Sequence, residues 1–271
     1  MSYLSPGEYL ARSAASGKAK TEKAAGKLFC LAVLAGMLIA FAGAATNTAL
    51  CTLENPGLAR LVCGLLFPFG LCMVIVSGAE LFTGNSLLVL SLLERQCTLR
   101  GLLRNWGIVY LGNLLGSVLT AAGCVFFGQL DLCGGSVMLQ TVRLAAGKCG
   151  LPFLNGFGLG LFCNLLVCLG VLMALSAQDT AGRLLGAFLP VCYFVTCGFE
   201  HSVANMYYIS AGLLALRVPR YAEMLGRLGT DVSGLTVGNF LLGNLLPVTL
   251  GNVAGGVSLA LLLWYAHLKK S

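Results

Sequence analysis

Long apolar runs separated by short polar segments make up most of this chain. Six such runs lie near residues 28–50, 58–94, 105–129, 152–176, 183–214 and 236–267. Each approaches or exceeds the roughly 20 residues that an α-helix needs to cross a bilayer. The pattern therefore predicts an all-α polytopic membrane protein with six transmembrane spans and no large soluble domain.

The second and fifth runs are interrupted by the same pattern of polar residues. It reads G-x-E-x-x-x-x-N and occurs at Gly78–Asn85 and again at Gly198–Asn205. A carboxylate at membrane depth is costly and usually marks a functional or structural site. Two of them at matched places predict a duplicated membrane protein, with its site at the interface of the repeats.

A second repeated pattern supports the duplication. N-x6-G-N-x2-G occurs at Asn105–Gly116 and at Asn244–Gly255, in corresponding spans of the two halves. Three spans in each half reverse the direction of the second half in the membrane. We therefore predict one transmembrane channel domain over residues 1–271, built from inverted repeats at 28–129 and 138–268.

The repeated residues are interpreted as braces of two broken helices. Glycine permits the backbone to leave helical geometry, and the carboxylates can accept hydrogen bonds from the N–H groups that each break frees. The asparagines can then tie the half-helix that follows. The residues assigned to this role are Gly78, Glu80, Gly84, Asn85, Gly198, Glu200 and Asn205.

The first 25 residues read as an amphipathic helix. Ser5–Glu8 has the form of a capping box with proline at the first helical position. Leu4, Tyr9, Leu10 and Ala14 provide a weak apolar stripe. We interpret this helix as lying on the cytoplasmic face of the membrane.

Composition and charge agree with a membrane protein. Hydrophobic residues make up 58% of the chain and charged residues 10%, whereas soluble domains have about 45–50% and 25%. The net charge of +7 is explained by topology rather than by nucleic acid, because basic residues concentrate on cytoplasmic segments. With the N-terminus inside, eleven basic residues fall on cytoplasmic segments and six on outer segments, which predicts a plasma-membrane protein with both termini cytoplasmic. The cytoplasmic residues are Arg12, Lys18, Lys20, Lys23, Lys27, Arg95, Arg100, Arg104, Arg183, Lys269 and Lys270. The outer residues are Arg60, Arg143, Lys148, Arg217, Arg220 and Arg227.

The twelve cysteines indicate no metal site or cofactor. Most fall within predicted spans, where cysteine packs as a small hydrophobe, as for Cys30, Cys72, Cys124, Cys163, Cys168 and Cys192. No zinc spacing accompanies them, and His201 and His267 are the only histidines. Cys133 and Cys149 could meet outside the membrane, although nothing in the sequence requires it.

Three stretches resemble signatures of the formate/nitrite transporter family. They are Ala79–Asn85, Leu161–Leu169 and Gly198–Met206, in the correct order, and the resemblance covers nearly the whole chain. It implies an aquaporin-like six-span protomer in contact with membrane lipid, and a homopentamer with one pore per protomer. It also implies a channel or transporter for small monovalent anions rather than an enzyme.

The resemblance also implies which residues line the pathway. Thr83 is expected in the loop that interrupts the second span, with His201 facing it and Asn164 close to the histidine. Lys148 would stand in an outer vestibule. Apolar constrictions would be formed or flanked by Leu71, Leu81, Phe82, Phe67 and Phe194.

This arrangement leads to a hypothesis about the crossing. Lys148 and the half-helix termini would attract the anion, and His201 and Thr83 would supply hydrogen bonds near the midplane. A buried histidine tends to stay neutral, but an arriving anion reverses that preference. A shared proton would let the substrate cross as the neutral acid, so low external pH should favour proton-coupled uptake. Formate is the leading substrate, with hydrosulfide and nitrite close behind.

Two other interpretations of the protein's function remain open from the sequence. The first is an aquaporin-like pore for water or small neutral solutes, although the Asn-Pro-Ala pair expected there is absent, since Ser86 follows Asn85 and Met206 follows Asn205. The second is an intramembrane redox enzyme that uses cysteines or a metal. The lack of a His/Cys ligand cluster argues against it.

Overall fold

The computed structural model describes residues 3–269, and this part of the chain contains no β-sheet. Lys270, one of the basic residues assigned to the cytoplasmic side, lies outside the described residues. The described α-helices are α1 (Pro6–Glu22), α2 (Ala25–Leu50), α3 (Pro56–Leu66), α4 (Phe69–Ser77), α5 (Leu88–Leu93), α6 (Leu99–Phe126), α7 (Ser136–Cys149), α8 (Phe153–Ser176), α9 (Thr180–Thr196), α10 (Ser202–Ala215), α11 (Pro219–Arg227) and α12 (Leu246–His267). Short 3-10 turns cover Gly84–Leu87 and Gln129–Gly135, and a π-helical turn at Asn239–Leu245 leads into α12.

The predicted all-α membrane fold is confirmed. Five helical segments of the described chain are long and apolar enough to cross a bilayer: Ala25–Leu50, Pro56–Ser77, Leu99–Phe126, Phe153–Ser176 and Asn239–His267. The second span continues past its break as the 3-10 turn and α5. The fifth predicted span is divided into α9 and α10, and neither half reaches spanning length on its own.

Each break begins at a glycine with left-handed backbone. Gly78 ends α4 at φ +66°, and Gly198 follows α9 at φ +74°. These values are strained for residues with a Cβ, so glycine is the residue that permits the chain to leave the helix here. Gly84 differs, because it begins a 3-10 turn and is not among the residues with positive φ. The prediction that Gly84 opens the backbone is therefore wrong.

The second repeated motif explains how the spans pack in pairs. Its glycines bring α6 against α2 and α12 against α8 at backbone distance. A Cβ added to Gly116 would overlap the carbonyl oxygen of Val33, and one added to Gly255 would overlap that of Leu161. Small residues at such positions let transmembrane helices approach closely.

Replacing Gly255 by alanine should therefore destabilise the protein. Backbone atoms cannot move aside as a flexible side chain can, so we expect a cost of roughly 1–3 kcal/mol. Thermal unfolding of the detergent-solubilised protein would measure it. Gly158→Ala in the facing helix is the matched control, since no heavy atom lies within 4 Å of a Cβ there. Equal melting of the two variants would contradict the packing argument.

The N-terminal helix α1 forms as predicted but packs differently. The carboxylate of Glu8 accepts hydrogen bonds from the N–H and the hydroxyl of Ser5, at 2.8 and 2.7 Å. These bonds hold the pKa of Glu8 below its usual range. Leu10 and Ala14 are buried, but against the protein rather than in the membrane surface. Their apolar cluster is completed by Leu87, Leu90, Cys168, Leu172 and Ala260.

Helix α7 was not predicted, because residues 130–151 read as an outer connecting segment. Its buried positions include Val137, Thr141 and Ala145, which are spaced four residues apart on one helical face. That periodicity was the available signal. The helix matters because it carries Lys148 at its C-terminal end.

All twelve cysteines lie within the described residues, and all are free. Cys133 is exposed whereas Cys149 is buried. The two are therefore not paired in this structure. Cys163 and Cys168 are buried on α8, as expected for cysteines that pack as small hydrophobes.

Candidate functional site

Glu80 lies at the centre of a buried ionic network in the first break. Its side chain is 2% exposed and accepts from the ammonium groups of Lys20 and Lys23, each at 2.9 Å. The amide of Asn85 donates to the same carboxylate at 3.0 Å. Lys20 also donates to the amide oxygen of Asn85 at 2.8 Å. Lys20 of α1 and Lys23, which caps the C-terminal end of α1, therefore hold the carboxylate that follows α4.

Glu200 has a matching network in the second break. The ammonium of Lys148 donates to both of its carboxylate oxygens, at 2.8 and 2.9 Å. The amide of Asn205 donates to the carboxylate at 2.6 Å. Lys148 also lies 5.6 Å from the centre of the Tyr208 ring. Lys148, which was predicted to stand in the outer vestibule, is thus the ion-pair partner of Glu200, which was predicted to brace the broken helix.

A further asparagine completes each network. Asn105 accepts from the amide of Asn85 at 2.9 Å and donates to the carbonyl oxygen of Lys20 at 3.2 Å. Asn244 makes the same pair of bonds in the second break, at 2.8 and 2.9 Å, where the carbonyl belongs to Lys148. By these contacts, α1 and α7 occupy equivalent places in the two halves.

The backbone groups freed at each break are satisfied by asparagine rather than by glutamate. Asn113 donates to the carbonyl oxygen of Glu80 at 3.0 Å and accepts from the N–H of Phe82 at 2.9 Å. Asn252 makes the corresponding bonds to the carbonyl of Glu200 and the N–H of Ser202, both 2.9 Å. The carboxylates were predicted to accept from freed N–H groups; instead, lysine and asparagine side chains occupy them.

His201 and Thr83 meet where the two breaks face each other. The Nε2 atom of His201 lies 2.9 Å from the hydroxyl oxygen of Thr83. His201 also caps α10, because its Nδ1 accepts from the N–H of Ala204 at 3.1 Å. A neutral imidazole that accepts at Nδ1 carries its hydrogen at Nε2. The histidine therefore donates to Thr83, whose own O–H is left free to donate elsewhere.

Asn164 supports the Thr83 loop rather than the imidazole. Its amide donates to the Thr83 carbonyl at 3.2 Å, to the Ser86 hydroxyl at 3.1 Å and to the Asn252 carbonyl at 2.6 Å. The sequence placed Asn164 close to the histidine. Its bond to the Thr83 carbonyl brings Asn164 next to the Thr83–His201 pair, where it positions the loop.

The predicted constriction residues divide into two groups. Phe67 packs edge-on against Phe194 with ring centres 6.0 Å apart, and Phe194 is stacked on His201 at 5.9 Å. These three rings form a continuous row. Phe82 lies apart from them, with its ring 4.9 Å from that of Tyr110.

Two cavities approach the Thr83–His201 pair. The α1 cavity, of about 340 Å³, is lined by residues that include Lys20, Leu71, Glu80 and Leu81. The α7 cavity, of about 110 Å³, is lined by Phe67, Lys148, Phe194, Glu200 and His201 among others. The two share no lining residue among the described part of the chain, and neither includes Thr83 or Phe82. Thr83 and Phe82 are both buried, so a buried barrier separates the two cavities.

Several residues of the networks were not assigned a site role from the sequence. The four additional asparagines stand in the second repeated motif, so their recurrence was the available signal: Asn105, Asn113, Asn244 and Asn252. Lys20 and Lys23 gave no such signal. They lie in a polar, lysine-rich stretch whose ordinary interpretation is a solvated helix face.

A family model described as "Formate/nitrite transporter" matches residues 7–266 of the chain. The chain belongs to the formate/nitrite transporter family. Members of this family are channels and transporters rather than enzymes, and this one is a multi-pass membrane protein.

Two relatives show how far the similarity to other formate/nitrite transporters extends. A probable formate transporter of Methanothermobacter thermautotrophicus is 33% identical over 99% of this chain and 99% of its own length. The formate channel FocA of Escherichia coli K12 is 36% identical over 94% of this chain and 92% of its own.

Solved structures of formate/nitrite transporters have the same fold. A pentameric formate channel with formate bound superposes with a TM-score of 0.79 at 35% identity, and covers 92% of this chain and 99% of that one. An FNT family ion channel gives a TM-score of 0.82 at 28% identity, over 96% and 98% of the two chains.

Proposed function

We propose that this protein is a formate channel of the cytoplasmic membrane, assembled as a homopentamer with one pore in each protomer. Formate as substrate is supported by two relatives, a probable formate transporter and a formate channel, and by a similar solved structure of a pentameric channel with formate bound. Nitrite and hydrosulfide are the next candidates, because they too are small monovalent anions. The excess of basic residues on the segments assigned to the cytoplasmic side supports a cytoplasmic location for α1 and both termini.

One observation carries the proposal: a polar pair, Thr83 and His201, lies in the apolar barrier between two cavities. An anion that leaves water for an apolar ring loses its hydration, which is expensive. The free O–H of Thr83 is the donor that replaces part of that hydration, and His201 orients it by donating its Nε2–H to the Thr83 oxygen. Leu71, Leu81, Phe67 and Phe194 line the approaches and keep the barrier narrow.

The same geometry suggests how a proton accompanies the anion at low pH. Neutral imidazole cannot give its Nε2 proton to formate without leaving an imidazolate. A second proton must first reach Nδ1, which then loses its hydrogen bond from Ala204. An anion at Nε2 offsets the charge of the resulting imidazolium. The histidine can then pass a proton to formate, which crosses as formic acid.

Transport by reconstituted protein tests this function. Liposomes that contain the channel should take up formate faster than empty liposomes, and they should carry formate in preference to a larger organic anion. Thr83→Ser keeps the hydroxyl and should retain most of the flux. Thr83→Val removes it at similar volume, and the loss of one hydrogen bond to a charged group, about 1.5–3 kcal/mol, predicts a decrease of roughly ten- to hundredfold.

Three outcomes would count against the proposal. Uptake of nitrite or hydrosulfide without formate would reassign the substrate. Water permeability without anion flux would favour the aquaporin-like reading. Equal flux through Thr83→Val and Thr83→Ser would remove the hydroxyl from the pathway.

A further inference from the structure

The lysines of both cavities are already engaged by carboxylates. In the α7 cavity, Lys148 has three N–H donors and uses two of them in hydrogen bonds to the carboxylate of Glu200. In the α1 cavity, Lys20 pairs with Glu80 and also binds Asn85, and Lys23, which does not line the cavity, pairs with the same carboxylate. These ammonium groups hold broken helices, so little of their hydrogen-bonding capacity remains for a passing anion.

Arg60 is a further cation that lines the α7 cavity. It is exposed, and within residues 3–269 no carboxylate lies within 4.0 Å of its guanidinium. The guanidinium lies over the backbone at the break, since a Cβ added to Gly198 would come 2.7 Å from Nη1. The cavity therefore holds two cations and one carboxylate among these three side chains, and the surplus charge is that of Arg60.

Arg183 has the corresponding place in the α1 cavity. It too is exposed and makes no ion pair with any described carboxylate. Its Nε donates to the carbonyl of Ala177 at 3.4 Å, which leaves the two terminal nitrogens available. Each cavity is thus lined by one arginine without a counter-ion in the described chain.

The position of both arginines in their helices argues against a role in helix stability. Arg60 is near the N-terminal end of α3, and Arg183 is near that of α9. The helix dipole places partial positive charge at this end, where a cation is unfavourable. Asn55 and Asp179 already cap the two helices. Two cations that neither cap their helices nor gain from the helix dipole are available to act in the cavities themselves.

We propose that Arg60 and Arg183 capture the anion, one at each mouth of the pore, while the lysines serve as structural partners of Glu80 and Glu200. This inference rests on the proposed anion-channel function. A planar guanidinium presents paired N–H donors that match the two oxygens of a carboxylate such as formate. In a cavity with low-dielectric walls, an unpaired charge raises the local concentration of counter-ions and the rate at which they enter.

Formate currents across a planar bilayer, with formate on one side only, test the proposal. At about 10 mM ionic strength, where the screening length is about 30 Å, Arg60→Gln should lower entry from its own side by roughly three- to tenfold. Arg183→Gln should lower entry from the opposite side only. At about 1 M salt, where screening reaches about 3 Å, both losses should shrink below about twofold. Arg60→Lys keeps the charge but not the paired donors, so its low-salt current should lie between those of Arg60→Gln and the unmodified channel.

Matched controls remove the same charge elsewhere on each side. Arg217→Gln and Arg100→Gln alter exposed arginines that line neither cavity, and they should leave the currents unchanged. No formate current through the unmodified protein would refute the channel function itself. Normal low-salt currents through Arg60→Gln and Arg183→Gln, with an active unmodified channel, would overturn the capture role alone. A loss that persists at high salt would also overturn it, because that result indicates packing against the Gly198 backbone.

Discussion

His201→Asn is expected to keep the formate flux and to lose its increase at acid pH. Asparagine is a good N-cap, so its amide oxygen can accept from the Ala204 N–H and hold the start of α10. Its amide can also donate to Thr83, but it cannot take up a proton. Uptake by unmodified channels should rise as the external pH falls from about 7 to about 5, because protons become more available to the pair formed by the histidine and the anion. Uptake by the variant should stay flat.

The variant His201→Phe tests the hydrogen-bonding role of His201 separately from its proton-sharing role. Phenylalanine keeps a ring beside Phe194 but removes both the cap and the donor to Thr83. Flux should fall at both pH values, by roughly ten- to hundredfold if a hydrogen bond to the anion is lost. Empty liposomes correct for formic acid that crosses the lipid unaided. An unchanged pH dependence in His201→Asn would refute proton sharing through this histidine.

Lys148→Met should have the largest effect on stability. Methionine preserves much of the apolar stem but leaves Glu200 as a charge without its cation. Both side chains are largely buried, at 13% and 10% exposure. Breaking a buried ion pair in this way costs about 3–5 kcal/mol. The yield of folded protein and its melting temperature in detergent should therefore drop together.

The double variant Lys148→Met with Glu200→Gln distinguishes a brace from an anion-binding lysine. Glutamine removes the uncompensated charge and can still accept from Asn205. If the ion pair is structural, the double variant should recover most of the stability that the single variant loses. If Lys148 instead attracts the substrate, the single variant should fold normally and only require more formate for half-maximal flux.

The sequence was sufficient for the fold class and for the location of both breaks. Apolar runs of spanning length are a local property, and the solvent dictates that their backbone groups be satisfied within helices. The repeated Gly-x-Glu pattern located the breaks, because left-handed backbone at Gly78 and Gly198 requires glycine. Thr83 and His201 were also found from the sequence, through the motif that contains them.

Tertiary structure decided which side chains pair with the buried carboxylates and with the backbone groups at the breaks. Lys20 lies 60 residues from Glu80, and Lys148 lies 52 residues from Glu200. No local pattern states which lysine reaches which carboxylate. The same holds for Asn113 and Asn252, which satisfy the broken backbone from neighbouring helices where the glutamates were expected to do so. The ring of Phe82 also packs against that of Tyr110, although Phe82 is next to Thr83 in the sequence.

One physical cause explains why some features follow from the sequence and others only from the tertiary structure. Whether a segment enters the membrane, and where its helix must break, depends on residues close together in the chain, so the sequence by itself determined the spans and the breaks. Ion pairs and side-chain hydrogen bonds form only within about 3 Å, and those distances arise when separate helices pack. The structure therefore decided that the carboxylates and lysines neutralise one another, that Thr83 meets His201, and that Arg60 and Arg183 have no carboxylate partner within residues 3–269.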